Sequence, residues 1–413
     1  MRNALVHSTH WLLLAFAAYI PIQWEFFSPA WLLIAAGIAG IAWTVSTGQW
    51  GKYKGTPWGL LILAGWGLWT MASVSWSSHP NEGWSDVVLK LPMWLVPLAV
   101  WPVLKAQPIS LGHLRSSFAW STVITWTFVL FYGVWTAGWD GYKGWLVLNR
   151  LPVHYQSAYL HIALWVLLID TTRQWHLWSK TRRAFQLPAM AWLVIGMLLI
   201  SVRIQWAAFA LLGGVVFAVM WYRGQLTTWA KWAVPALGVV LITIGSSNKM
   251  VRSRVIDTFN EARSFGQMIN NKQTNHRVFL WKYGWEAIGQ EWLTGYGNGS
   301  EDFVLQEHLK DCDAKFWDGK HTYYLHQERY NYHNEWLQQW AKSGLVGIAL
   351  FVGIGFWAMR SGSRSTKLMW AVVAFSCATE SLLERQAGVF IGTLLILVLI
   401  VDISTRNTST NPG

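Results

Sequence analysis

Charge is scarce in this chain. Of its 413 residues only 13% are charged, while 53% are hydrophobic, and a soluble domain of that length needs far more charge to cover its surface. Cysteine is scarcer still, limited to Cys312 and Cys377. The topology derived below sets the two in different compartments, so no disulfide is expected. The first apolar run, Leu5 to Ile22, reads as a span rather than a removed leader. No metal-ligand cluster with credible spacing stands out along the chain, and no cofactor is expected. What is abundant is apolar length and tryptophan. Several runs of roughly 17 to 25 residues match the thickness of a bilayer, and 33 Trp suit the headgroup level, where the ring is buried and the N–H stays wet. A net charge of +12 invites a nucleic-acid partner. That reading fails, because the bases sit in short loops between apolar runs instead of on one face.

The runs predict an all-α integral membrane protein with about twelve transmembrane helices, at roughly 5–22, 29–46, 57–75, 86–104, 115–136, 153–170, 186–202, 204–221, 231–246, 335–359, 366–383 and 386–403. The loops between them sort by charge. One set carries Lys52 and Lys54; Lys105 and Arg115; Arg173, Lys180, Arg182 and Arg183; Arg223 and Lys231; and Arg360, Arg364 and Lys367. The other set is poor in bases and, after the third span, holds only the acids Glu82 and Asp86. The positive-inside rule puts the first set and both termini in the cytoplasm. The chain then divides into nine spans within 1–245, a large, partly helical extracytoplasmic loop at 246–334, and three more spans with a short cytoplasmic tail at 335–413.

Polar groups at the outer ends of spans must be paired, hydrated or used. Arg203, in Ser201-Val-Arg-Ile-Gln205, sits in a connection too short for a free loop; a snorkelling interfacial arginine is the plain alternative. Arg252 and Arg254 follow the ninth span, where simple solvation would account for either. Arg277 stands in Asn275-His-Arg-Val-Phe-Leu-Trp281. This opens a stretch to Ile288 whose Val278, Trp281, Trp285 and Ile288 recur at helical spacing, which predicts a helix lying on the membrane surface. It runs into Leu293-Thr-Gly-Tyr-Gly-Asn-Gly-Ser300, three alternate glycines that permit a tight backbone turn. No strand precedes them, so a nucleotide loop is excluded. His333 and Asn334 open the helix at 335–359, Asn334 as an N-cap and His333 as either a polar filler or a base. Thr379-Glu-Ser-Leu-Leu-Glu384 sets Glu380 and Glu384 at an outer helix end, free to bind arginines, hydrogen-bond a sugar or cap helices. Gathered on one face, these groups suit a lipid-linked diphosphate. Arg forks match phosphate oxygens bidentately, fixed cations stabilise the charge on a departing diphosphate, and an imidazole can take the proton of an incoming hydroxyl.

From the helix at 186–202 onward, about half the chain, the sequence resembles the O-antigen ligase/polymerase superfamily of integral-membrane glycosyltransferases. Asn275 to Ser300 is similar to that family's Arg, Trp, then P-L-T-G-x-G-x-G segment. Tyr332-His-Asn-Glu-Trp-Leu-Gln-Gln-Trp-Ala-Lys-Ser-Gly-Leu-Val-Gly347 resembles its H-N-x-x-L motif ending in G-L-x-G. Thr379-Glu-Ser-Leu-Leu-Glu-Arg-Gln386 resembles its T-E-S-x-L-E element, and Val202-Arg203 stands where it carries S-R-G. Lys90-Leu-Pro92 and His154-Tyr155 match weaker features. Three positions depart: Val202 separates Ser201 from Arg203, Trp292 replaces a proline, and Lys342 replaces a common acid before Gly344.

The resemblance implies metal-independent, inverting transfer of a glycan from undecaprenyl diphosphate to a hydroxyl acceptor, at the periplasmic face of a bacterial inner membrane. It implies His333 as the catalytic base and Arg203, Arg254 and Arg277 as diphosphate ligands. Asn334, Glu380, Glu384, Lys90 and His154 are implied as supporting or sugar-binding groups. For a ligase the acceptor is a sugar of lipid A–core, and twelve spans with the long loop between nine and ten look more like that enzyme. A polymerase would extend another lipid-linked repeat instead, and a protein O-oligosaccharyltransferase would modify Ser or Thr. A transporter of lipid-linked sugar should carry midplane charges and internal repeats, which the sequence does not display.

The loop charges predict that reporter fusions after Lys180 and Arg364 read cytoplasmic and that one near Lys310 reads periplasmic. A cytoplasmic signal at Lys310 would invert the topology and remove the outward-facing site with it.

Overall fold

Leu-, Ala- and Trp-rich runs become helices along the whole of the computed structural model, which describes residues 2–22, 27–53, 56–148, 153–174, 179–200, 202–224, 252–253, 256, 276–313, 315–317 and 322–410. The span expected at 231–246, Arg254 and most of 246–275 lie outside the described residues. The helices are α1 (Arg2–Tyr19), α2 (Ala30–Thr47), α3 (Trp58–Ser73), α4 (Pro80–Ala106), α5 (Leu111–Leu148), α6 (Val153–Gln174), α7 (Lys180–Ile200) and α8 (Arg203–Tyr222). After them come α9 (His276–Gln290), α10 (Glu301–Asp311), α11 (Glu335–Ser361), α12 (Arg364–Cys377) and α13 (Gln386–Thr410). Among the described residues eight helices are long and apolar enough to cross a membrane: α2, α3, α4, α5 up to Gly138, α7, α8, α11 and α13. Three more, α1, α6 and α12, stand where the sequence predicts spans.

Boundaries shift in two informative places. The fourth span begins at Pro80, a residue favoured in a first helical turn, so Glu82 and Asp86 lie inside α4 and not in the loop before it. The span expected at 366–383 ends at Cys377, which leaves Glu380 and Glu384 in the connection to α13, on and beside a short 3-10 turn at Leu382–Glu384. One feature departs from an all-helical chain: β1 (Lys315–Trp317) pairs antiparallel with β2 (Thr322–Tyr324), Phe316 opposite Tyr323.

The centre of the bundle is α13. Its spanning window is 94% buried, and a helix apolar on every side needs neighbours on every side; α4, α5, α11 and α12 supply them. A second, smaller core joins α9 and α10 to the start of α11 through Phe279, Leu280, Ile288, Leu305, Leu309, Tyr332 and Ala341. Phe279, Leu280, Ala287 and Ile288 are inside while Trp285 is 57% exposed, because the helix packs on α10 and α11 and turns Trp285 outward.

The link between this small core and the bundle is a break in α11. Gly344 has φ 63° and ψ −162°, a region open to glycine alone. In an unbroken helix Leu345 N–H would donate to Ala341 C=O. Here Leu345 N–H donates to Leu293 O at 3.0 Å, and Ala341 O accepts from Tyr296 N at 2.8 Å. The glycine-rich segment thus replaces both ends of the lost bond, and Trp69 Nε1 satisfies Ser343 O at 2.9 Å. The alternate glycines have positive φ, 66° at Gly295, 84° at Gly297 and 100° at Gly299, which lets the segment lie directly on the backbone of Ser77 and Gly83.

A Cβ at Gly344 would stand 2.1 Å from Leu293 O. Gly344→Ala is expected to destabilise the protein by at least about 1–3 kcal/mol, the scale of a forced backbone conformation. Thermal or chemical unfolding in detergent measures it, and an unchanged melt would mean that the break is not required.

Candidate active site

Asn334 joins two of the segments that carry the site. Its side chain caps α11, accepting from Trp336 N at 3.0 Å and Leu337 N at 3.2 Å, as the sequence predicts. The same side chain donates to Ala378 O at 3.0 Å, and its backbone N–H donates to Ser381 Oγ at 3.2 Å. The helix start and the connection after α12 are therefore stitched together at one residue.

His333, immediately before the cap, has φ 44°, a left-handed conformation that costs a side-chain-bearing residue about 1–2 kcal/mol. Its surroundings impose it. The His333 N–H donates to Asn331 Oδ1 at 3.0 Å and its carbonyl accepts from Trp281 Nε1 at 3.3 Å. The consequence is the direction of the ring: Nδ1 lies 3.2 Å from Glu380 Oε2. The other carboxylate oxygen of Glu380 meets Nη2 of Arg277. One carboxylate thus joins the histidine at the start of α11 to the arginine at the start of α9. The three side chains are 24%, 16% and 22% exposed for His333, Glu380 and Arg277, sheltered yet reachable from outside.

Beneath this triplet lies a buried ionic cluster. Lys342, 1% exposed, reaches Glu384 at 2.7 Å, Asp86 at 3.1 Å and Glu301 at 3.4 Å. Lys90 reaches Asp86 at 2.6 Å and Glu384 at 3.0 Å. Around it, Gln338 donates to Asp302 at 2.9 Å and to Glu301 at 3.3 Å, and accepts from Ser381 Oγ at 3.3 Å. Glu335 accepts from Leu383 N at 2.8 Å, while Tyr155 of α6 donates to Leu382 O at 2.9 Å. The connection carrying Glu380 and Glu384 is thereby held from α4, α6 and α11, and α11 in turn from α10.

The fold brings together His333, Asn334, Glu380 and Arg277, and places Glu384 and Lys90 in the cluster below. Among the described residues Glu384 binds lysines there and no arginine. Arg203 is the first residue of α8, and its neighbours Val202, Ile204 and Gln205 line a small cavity with Tyr155, Ser376, Leu382 and Glu380, so that end of α8 borders the same connection. Arg254 lies outside the described residues, as does the side chain of His154, whose backbone lies in α6 beside Tyr155. Sequence reasoning missed Lys342, Asp86, Glu301 and Gln338. The available signal was helical spacing: Glu335, Gln338, Gln339 and Lys342 recur on one face of an apolar helix, and all are buried.

Residues 188–352 match the family model described as O-antigen ligase. No curated protein matches the chain.

Burial, with Glu301 and Glu384 nearby, pushes the Asp302 carboxyl up to about 8, against the pull of Gln338 and Lys342. Burial also raises Glu301 above its ordinary value. For Asp302 a folded value above the unfolded 3.8 means that its contribution to stability is complete below that pH and is lost as pH rises through about 8. Melting temperature should therefore fall between about pH 4 and pH 8, and Asp302→Asn, neutral throughout, should flatten part of that fall. Identical pH profiles for the two proteins would exclude the shift.

Proposed function

From the match over residues 188–352 we infer that the chain belongs to the O-antigen ligase/polymerase superfamily, whose members are glycosyltransferase-like membrane enzymes. On that premise we propose that it is an O-antigen ligase of the inner membrane, with twelve spans and its site facing the periplasm. It transfers a glycan from undecaprenyl diphosphate to a sugar hydroxyl of lipid A–core. The observation that supports this most is Glu380 standing between His333 and Arg277.

A carboxylate can only accept, so the Nδ1 that faces Glu380 carries the imidazole proton and Nε2 keeps its lone pair. Nε2 then takes the proton of the acceptor hydroxyl while that oxygen attacks the anomeric carbon. The bond from that carbon to the diphosphate oxygen breaks on the opposite face, and undecaprenyl diphosphate leaves with the electron pair, inverting the centre. Glu380 faces the imidazolium so formed and favours it. Arg277, with Arg203 and Arg254, holds the diphosphate and offsets its growing charge. Asn334, Glu384 and Lys90 keep the base and its carboxylate in place; His154 serves the sugar.

The test is genetic and then enzymatic. A strain lacking the gene should make lipid A–core without O-antigen, and wild type but not His333→Ala should restore the ladder at equal protein level. A single repeat on core in the deletion strain identifies a polymerase instead. With purified protein, His333→Ala should lower transfer roughly 10²–10⁴-fold with donor affinity kept. Arg277→Lys should lose most transfer because charge remains but bidentate geometry does not. Near-normal transfer by His333→Ala removes the base from the mechanism.

A further inference from the structure

Away from the site, the two loop helices bring three ligand-type side chains together. His308 and Cys312 are four residues apart on α10, hence on one face, and Glu286 faces them from α9. His308 Nε2 is 3.5 Å from Glu286 Oε2 and 3.8 Å from Cys312 Sγ, and all three ligand atoms lie within 4.8 Å of one another. Tetrahedral zinc, with bonds of about 2.0 Å to nitrogen and oxygen and about 2.3 Å to sulfur, sets its ligand atoms roughly 3.3–3.5 Å apart. The observed separations need only a few tenths of an ångström of closure for two of the three pairs.

The geometry points to a Zn²⁺ site formed by Glu286, His308 and Cys312, with its fourth position open to solvent. The donor set is selective: a thiolate and an imidazole exclude Mg²⁺ and Ca²⁺, which take oxygen ligands. Charge favours it too. Glu286 and Asp311 make the potential at the Cys312 sulfur negative, opposed by Lys282, and a bound dication with a thiolate and a carboxylate is neutral. The ring of Tyr283 stands edge-on to His308 at 6.2 Å and limits the orientations of the imidazole.

The role is that of a clamp. Glu286 lies nine residues after Arg277 on α9, about 14 Å along the axis, too far for the metal to meet the same substrate atoms. Tying α9 to α10 fixes the helix that carries Arg277. The site stands whether or not the chain is a ligase, since it rests on α9 and α10 alone.

The full-length protein in detergent is titrated with Zn²⁺ by calorimetry and with Co²⁺ by absorption. One Zn²⁺ per chain is expected, with a thiolate-to-Co²⁺ charge-transfer band and a rise in melting temperature with metal. Cys312→Ser should lose the band, and Cys312→Ser and His308→Ala should each weaken Zn²⁺ roughly 10-fold or more. Metal-free melts at the wild-type temperature exclude misfolding as the cause. If a variant fails to fold, Glu286→Gln on α9 gives the same readout from the other helix. No stoichiometric binding to wild type, or binding that all three substitutions leave unchanged, overturns the site.

Discussion

Lys342 carries a charge where water does not reach, and that fact organises the end of the molecule where the candidate site lies. An ammonium buried alone would cost several kcal/mol, so carboxylates must come to it. They come from three places: Asp86 on α4, Glu301 on α10 and Glu384 on the connection before α13. Apolar packing between these pieces would tolerate sliding; hydrogen-bonded charges at 2.7–3.4 Å do not. Such a cluster contributes less to net stability than to uniqueness, since a change of register in any one segment strands a buried charge. Glu380 stands four residues before Glu384, and its reach to His333 and Arg277 depends on where that anchor fixes the backbone.

The break in α11 serves the same end by other means. A continuous helix would present no backbone groups to a loop. Interrupting it at Gly344 exposes one donor and one acceptor, and the Leu293–Tyr296 strip takes both. The strip follows α9 directly, so the broken bond docks the helix that bears Arg277 against the helix that His333 precedes. The polar cluster and the helix break therefore constrain the same pair of elements from opposite sides.

Much of this was legible in the chain, and what was not has a common cause. Apolar length marked the spans, and Asn334 declared itself as a cap because capping is local chemistry. The alternate glycines declared a tight turn, though not what it lies on: Ser77 and Gly83 are more than two hundred residues away. Lys342 read as a local departure from a pattern, because its carboxylates are distant in sequence and nothing near it shows that it is buried. Glu380 and Glu384 were seen, but with the same three roles open to both. Among the described residues Glu384 binds lysines and Glu380 meets an arginine. Two acids on one short turn cannot be told apart until the helices around them are placed. The same holds for Glu286, whose helix had to fold before it could face His308 and Cys312.

The burial of α13 has a bearing on how the protein is made. That helix follows every other described helix in the chain, yet it occupies the centre of the bundle, wrapped by α4, α5, α11 and α12. Synthesis runs from the N-terminus, so its neighbours wait with their inner faces against lipid until it leaves the ribosome. The residues emitted just before it are Glu380 to Arg385, and this connection runs straight into α13 at Gln386, with Tyr155 and Tyr159 of α6 holding Leu382 and Ala387. Seating of α13 and placement of the backbone that carries Glu380 are thus linked through the same two tyrosines of α6.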